Sequence, residues 1–146
     1  MTLLHLRRMS FSDAALFSQW EKKGRPYPWA EIHFLETMNS NCQKTIVFEK
    51  EKQIVGFAVI QIVNGEAHLL NIMVDPENRR KGFGISMMIQ FMEWARTQGV
   101  SSLTLDVDPN NEPASRLYQK LGFESLERKS GSYPRGEDAV IMKRKI

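Results

Sequence analysis

Cysteine is nearly missing from these 146 residues: Cys42 stands alone, so no disulfide can form within the chain. Histidine is almost as scarce, and His5, His33 and His68 lie too far apart in the sequence to suggest a ligand cluster, so no metal is expected. No apolar run approaches the ~18 residues of a membrane-spanning helix, and Met1 to Arg8 lack the order of a signal peptide. A large charge excess is missing too. The net charge is +3, with basic runs only at Arg79 to Lys81 and Lys143 to Lys145, well short of a nucleic-acid-binding balance. There is no repeat, low-complexity segment or linker. Together these absences lead to the expectation of a reducing, cytoplasmic setting, with no membrane and no nucleic acid as partner.

What is present is a core's worth of apolar residues, 42% against 25% charged, enough for a single domain over residues 1–146 to fold without staples. Residues 3–8 read as a short strand. Ser12-Asp13 caps a helix carrying Ala14, Ala15, Leu16, Phe17 and Trp20, which Gly24 ends. Pro26-Tyr27-Pro28-Trp29 is too proline-rich for an element interior and reads as a rigid connection to a helix over residues 30–38. Residues 45–48, 54–63 and 67–74 are rich in β-branched and apolar side chains, and the turn signals Glu49-Lys50-Glu51-Lys52 and Asn64-Gly65 divide them into three antiparallel strands.

From Gly84 onward Ile85, Met88, Ile89 and Met92 recur at helical spacing, and Gly99 supplies the stop of a helix about 15 residues long. Residues 102–107 read as a buried strand. Asn110-Asn111 caps a helix with Pro113 in its first turn and Ala114, Leu117, Tyr118 and Leu121 as its inward stripe before Gly122. Closing strands are expected near 123–128 and 139–143. This order, β, α, α, three β, α, β, α, β, β, implies an α/β or α+β sheet covered by helices.

The densest chemical signal is the turn Arg79-Arg80-Lys81-Gly82-Phe83-Gly84 between a strand and the long helix. Two glycines leave backbone N–H groups unshielded, the new helix adds unpaired donors and a positive dipole end, and three cationic side chains adjoin them. Such a turn suits a bound phosphate.

Val74-Asp75-Pro76, then R-x-x-G-x-G as Arg79, Gly82 and Gly84, a long helix, Leu105-Asp106-Val107, Asn111, and the run from Arg116 to Phe123 containing Leu117-Tyr118 and Leu121-Gly122 form one ordered set. In that order the chain resembles the GNAT superfamily of acetyl-coenzyme A dependent N-acetyltransferases over nearly its whole length. Pro28-Trp29, Glu66-Ala67, Asn71-Ile72, Tyr133-Pro134 and the segment Gly136 to Ala139 make it most similar to the bacterial ribosomal-protein N-terminal alanine acetyltransferases. The resemblance implies the GNAT fold, a mixed, mostly antiparallel sheet of about six to seven strands with about four helices, bulged and splayed between its fourth and fifth strands.

For the donor, the resemblance implies that acetyl-coenzyme A binds with its pyrophosphate on the backbone of Arg80, Lys81, Gly82, Phe83, Gly84 and Ile85. Arg79, Arg80 and Lys81 add charge, and Ile72, Met73 and Val74 offer main-chain hydrogen bonds to the pantetheine arm, which behaves as an added strand. Asn111 is explained by capping alone, and the family also assigns the matching asparagine to the cofactor. Tyr118, read from its stripe, is a core tyrosine with its hydroxyl tied off; the family makes it the general acid beside the cofactor sulfur, a phenol of pKa near ~10 protonating a thiolate whose acid has a pKa of about 8.5.

The base is open. The resembled enzymes carry a glutamate where this chain has Asp106, one methylene shorter; Glu66 begins the fourth strand, where many GNAT enzymes hold a base, and His68 lies two residues on along the same face, so that either of these two is also a candidate acting through water. Each also has a plain structural explanation as a strand-end or hairpin residue. Trp29 and Tyr27 are expected to wall the acceptor site, Tyr133 to face them, and Glu137 and Asp138 to add negative charge for an ammonium. The implied activity is transfer of acetyl to a primary amine, most of all a protein N-terminus, in a ternary complex of a monomer or homodimer. Small amines, polyamines, antibiotics and lysine side chains stand as alternative acceptors, and a non-catalytic acyl-coenzyme A sensor as an alternative role. Cys42 lies outside every motif and has no expected part.

Overall fold

The protein is described from a computed structural model covering residues 2–132, 136 and 138–146. Twelve short elements follow in the expected order: β1 (His5–Arg8), α1 (Asp13–Gly24), α2 (Glu31–Met38), β2 (Gln43–Lys50), β3 (Gln53–Val63), β4 (Glu66–Val74), a 3-10 turn (Pro76–Asn78), α3 (Phe83–Thr97), β5 (Ser102–Val107), α4 (Glu112–Lys120), β6 (Glu124–Lys129) and β7 (Ala139–Lys145). Local chemistry fixes most boundaries. Glu51 and Lys52, at φ 51° and 68°, and Asn64 and Gly65, at 52° and 76°, place two consecutive residues in the left-handed region, the geometry whose twist closes the β2–β3 and β3–β4 hairpins. Asn111 caps α4 as expected, its Oδ1 accepting from Ala114 N–H at 3.2 Å.

The start of α1 departs from expectation. Ser12 makes no capping bond. Instead the Asp13 carboxylate reaches back to accept from Ser10 N–H at 2.8 Å, Ser10 Oγ at 3.0 Å and Arg7 Nη1 at 2.8 Å, tying the helix to β1. Burial alone would raise the Asp13 carboxyl, but the Arg7 guanidinium and the Ser10 donors outweigh it and hold the group below its ordinary range.

The seven strands form one sheet in the order β1-β2-β3-β4-β5-β7-β6, antiparallel throughout except for β4 with β5. Period-two alternation sorts their side chains onto two faces, each with its own core. On one face Val47, Phe57, Val59 and Met73 pack beneath Phe17 and Trp20 of α1 and Phe34 of α2. Phe17 and Phe57 lie 4.6 Å apart by ring centroids, and Phe34 meets Phe57 edge-on at 5.1 Å. On the other face Phe48, Ile60, Leu69, Leu103, Leu105 and Met142 pack beneath Met87, Met88 and Phe91 of α3 and the Ala114, Leu117, Tyr118, Leu121 stripe of α4. The outermost strand β6 is exposed along its length and carries Glu124, Glu127, Arg128 and Lys129, charges that discourage pairing with another sheet edge.

One irregularity governs the middle of the sheet. Ile60 pairs with Leu69 and Val59 with Asn71, so Leu70 is an extra residue, a bulge in β4. It slips the alternation by one: Leu69 faces the α3 core, and beyond the bulge Ile72 and Val74 face that core while Met73 faces α1. The parallel ladder with β5 runs only from Glu66–Ser102 to Leu69–Leu105. Past it β4 continues to Val74 against β3, β5 continues to Val107 against β7, and a gap opens between them, the expected splay.

Gly56 sits opposite Val74 on the supported side of this strand, and a Cβ there would lie 2.5 Å from the Met73 carbonyl oxygen and 2.6 Å from Met87 Cε. The oxygen belongs to the ladder and cannot yield. Gly56→Ala should therefore lower stability by about 1–3 kcal/mol, read as a fall in the urea midpoint with an unchanged slope; a midpoint equal to that of the parent chain would show that the β3–β4 pair gives way freely.

Candidate active site

Four segments converge where β4 and β5 part. A cleft of about 640 Å³ is walled by Arg25, Pro26, Tyr27 and Trp29 after α1, by Leu69 to Ile72 of β4, by Leu105 to Val107 of β5, and by Asn111, Ala114 and Tyr118 at α4. The donor edge is made of backbone. Asp75 N–H donates to Val55 O at 2.8 Å, so alternation turns the Met73 amide and carbonyl toward β3 and leaves those of Ile72 and Val74 directed into the gap. Of the expected trio, Ile72 and Val74 are thus the residues whose main chain is presented; Met73 contributes a buried side chain to the α1 core.

The glycine turn follows this edge. Arg80 at φ 65° and Gly82 at φ 80° place two left-handed residues within three, a conformation that gathers successive N–H groups into a concave nest at the start of α3. A Cβ on Gly82 would meet nothing within 4 Å, and one on Gly84 would reach only Val74 Cγ2 at 3.9 Å, so space lies open in front of these amides. The segment can hold an anion by the donors of the nest and of a 15-residue helix, with Arg80 and Lys81 exposed beside them. Two side chains are engaged elsewhere. Phe83 is buried in the α3 core beneath Lys50 Nζ, 5.7 Å from its ring centre, so only its main chain faces the turn. The Arg79 guanidinium packs against the end of α1, where a Cβ on Gly24 would come within 3.1 Å of it.

Tyr118 and Asp106 reach the cleft from opposite faces of the sheet. Tyr118, on the α4 stripe, is buried and meets Phe123 edge-on at 5.8 Å. Burial pushes its phenol above the ordinary value, an effect that the charge of Arg25 partly offsets, so the hydroxyl keeps its proton at neutral pH. Asp106 projects from the other face of β5, beside His68 of β4, with His68 Nε2 3.5 Å from Asp106 Oδ1. Glu66 does not join them: its side chain is 72% exposed at the far end of β4, 4.0 Å from Lys143 Nζ, and it borders a second, smaller cavity. Of the carboxylates named as base candidates, Asp106 alone lines the cleft with Tyr118.

Trp29 and Tyr27 wall the cleft as expected, and Trp29 is an anchor as well, its ring 5.2 Å from that of Phe34. Asn111 both caps α4 and lines the cleft. Tyr133 and Glu137 lie outside the described residues; Asp138 beside them accepts from Arg128 Nε at 2.8 Å and from Gly131 N–H at 3.2 Å, which hold its carboxyl below the usual range. Cys42 is half-buried near Ser40, away from the cleft.

Sequence reasoning missed Glu21 and Arg25. Glu21 is buried; its Oε1 accepts from Trp29 N–H at 3.0 Å and its Oε2 lies 3.3 Å from Arg25 Nε. Arg25 in turn donates to Asn71 Oδ1 at 3.0 Å and to the Ile72 carbonyl, one of the two outward carbonyls of the donor edge. The available signal was the i, i+4 spacing of an acid and a base across the helix end.

A family model described as the Acetyltransferase (GNAT) family matches residues 7–123. The chain is 31% identical over 137 residues to a ribosomal protein bS18-alanine N-acetyltransferase of Salmonella typhimurium, with 92% of each covered. The crystal structure of the ribosomal-protein-S18-alanine N-acetyltransferase from Escherichia coli superposes with a TM-score of 0.87 at 28% identity, over 99% of this chain and 94% of that one. Ard1 from Thermoplasma volcanium gives 0.86 at 25% identity, over 98% and 97%.

The nest can be tested apart from any chemistry. Gly82→Asp puts a carboxylate where the amides converge, at a φ of 80° that an L side chain rarely adopts. Coenzyme A affinity measured by calorimetry should fall at least about tenfold, the equivalent of roughly 1.4 kcal/mol; undiminished affinity would remove the turn from the phosphate site.

Proposed function

The chain belongs to the acetyltransferase (GNAT) family and is an N-acetyltransferase; on that premise we propose that it transfers acetyl from acetyl-coenzyme A to the N-terminal α-amino group of a protein, of the ribosomal-protein alanine type. The supporting observation is that a protonated phenol and a carboxylate enter one cleft from opposite faces of the sheet, beside an unpaired strand edge. The relatives named for ribosomal protein alanine support the choice of acceptor.

The family uses acetyl-coenzyme A, which supplies an acetyl group already activated as a thioester. This chain's residues fit such a molecule. The amides from Arg80 to Gly84 and the start of α3 suit its pyrophosphate, and Ile72 and Val74 offer outward N–H and C=O groups along which an amide-bearing arm lies as an added strand. Because Arg25 also donates to the Ile72 carbonyl, it competes with such an arm for that one acceptor. The outward N–H groups of Ile72 and Val74 are the donors placed to polarise a carbonyl oxygen.

On the acceptor side Asp106, directly or through one water, takes a proton from an α-ammonium group of pKa about 8 and leaves the amine with a free electron pair. Tyr118 gives its proton to the departing sulfur. Neither residue becomes covalently attached to the acetyl group. Trp29 and Tyr27 bound the space the acceptor enters, and the buried Glu21 fixes that wall through the Trp29 amide.

The acceptor is tested by incubating the protein with acetyl-coenzyme A and a panel of N-terminal peptides, ribosomal proteins, polyamines, antibiotics and lysine peptides, followed by mass spectrometry. N-terminal peptides beginning with alanine should be the main products; exclusive acetylation of a small amine or of lysine would overturn the acceptor assignment, and cofactor binding without any transfer would favour a sensor. Tyr118→Phe should lower kcat by about a hundredfold, with coenzyme A affinity changed less than about twofold. Because burial raises the Tyr118 pKa, its proton is retained until the pH passes above about 10, so ionisation of this residue should cause no fall in kcat below that point. Arg25→Ala removes the offsetting charge and should move that fall to higher pH; a fall moved to lower pH would contradict the assignment.

A further inference from the structure

The main cleft continues along the sheet. His68 lines both it and a second cavity of about 270 Å³, which is bordered also by Gln61, Glu66, Ser102, Thr104 and Lys143. His68 pairs with Thr104 in the parallel ladder, and its Nδ1 lies 2.6 Å from Thr104 Oγ1, which holds the ring against β5. Among the described residues, the core beneath α1 and α2 draws its strand residues from β2, β3 and β4 and includes nothing from β5 or β7. Because Leu103, Leu105 and Met142 turn toward α3, alternation leaves Ser102, Thr104, Asp106 and Lys143 on the opposite face, along the two cavities.

We infer that this second cavity is a groove for the acceptor chain beyond its first residues, in which Glu66 selects a basic side chain; the inference rests on the proposal that the acceptor is a protein N-terminus. With the amine at Asp106, a chain extended along β5 toward Ser102 advances about 3.3 Å per residue, so the rows of Thr104 and Ser102 lie roughly 7 and 13 Å away. The third to fifth acceptor residues fall there. Glu66 stands opposite Ser102 and Lys143 opposite Thr104, and their side chains come no closer than 4.0 Å. An ion pair so long and so exposed is weak, so a cation from the acceptor readily takes the place of Lys143. Charge decides the sign of the preference. Glu21, Asp106, Asp108 and Glu66 line the two cavities against the cations Arg25 and Lys143; Lys145, opposite Ser102, does not line them. A basic acceptor segment is therefore favoured and an acidic one repelled.

The test uses the full chain, acetyl-coenzyme A and peptides that begin with alanine and carry lysine or glutamate at one position at a time, from the second to the eighth. The readout is the ratio of kcat/KM for lysine over glutamate at each position. The parent should favour lysine by at least about threefold at one or more of the third to fifth positions and show no preference at the seventh and eighth. Glu66→Lys should reverse the preference, Glu66→Gln should bring the two peptides within about 1.5-fold of each other, and Lys143→Gln, which frees Glu66, should enlarge it. Damage to the fold lowers every peptide alike and leaves the ratio unmoved, so the ratio reads the contact itself. A ratio that Glu66→Lys and Glu66→Gln leave as in the parent, or a loss equal for every peptide in both, overturns the groove. A parent dimer that Glu66→Lys splits, with the ratio unchanged, gives this face to a second copy of the chain and overturns it as well. If the parent acetylates no N-terminal peptide, the failure lies in the underlying functional reading; if it acetylates them without regard to charge, only the groove fails.

Discussion

The rest of the molecule depends on the point at which β4 and β5 stop pairing. Parallel strands that remained in register past Leu69 and Leu105 would satisfy each other's backbone and leave no cleft. The extra residue at Leu70 interrupts this, because a bulge kinks β4 and reverses which face each later side chain takes. The strand stays anchored by β3 on one side and exposes the polar groups of Ile72 and Val74 on the other. Main-chain amides and carbonyls at such an edge require partners, and this requirement turns a break in a sheet into a binding surface.

The same break explains how the two groups proposed as acid and base share one cleft while keeping separate surroundings. Tyr118 belongs to the α4 side, where the core of α3 raises its pKa and preserves its proton. Asp106 and His68 belong to the α1 side, where both are partly exposed beside the two cavities. A continuous sheet would separate these groups by a full layer of backbone. The gap places both along one cavity while leaving each in its own environment, as the proton-transfer roles proposed for them require.

Much of this was legible locally. The hairpins follow from Asn64-Gly65 and its counterpart at Glu51-Lys52, α3 from its helical spacing, and the turn proposed to hold an anion from Gly82, which combines a left-handed backbone with open space. The ordered motifs from Val74 to Phe123 carried the family. What could not be read was partnership between distant segments. Glu66 and Asp106 are both strand carboxylates, and only the parallel register shows that one ends beside Lys143 while the other ends beside His68 and the cleft. Asp13 displaced Ser12 at the start of α1 because Arg7 of β1 lies within reach of a longer-range ion pair.

Sequence by itself determined the elements, the faces they bury and the glycine turn before α3, since each rests on interactions within a few residues of the chain. Tertiary structure alone decided which main-chain groups β4 presents, which carboxylate meets the cleft, and that Arg25 closes on the Ile72 carbonyl from 47 residues away. These depend on a one-residue slip in a ladder and on the mutual placement of strands from opposite halves of the chain. Neither is encoded in any local pattern, because pairing energy is shared across the whole sheet.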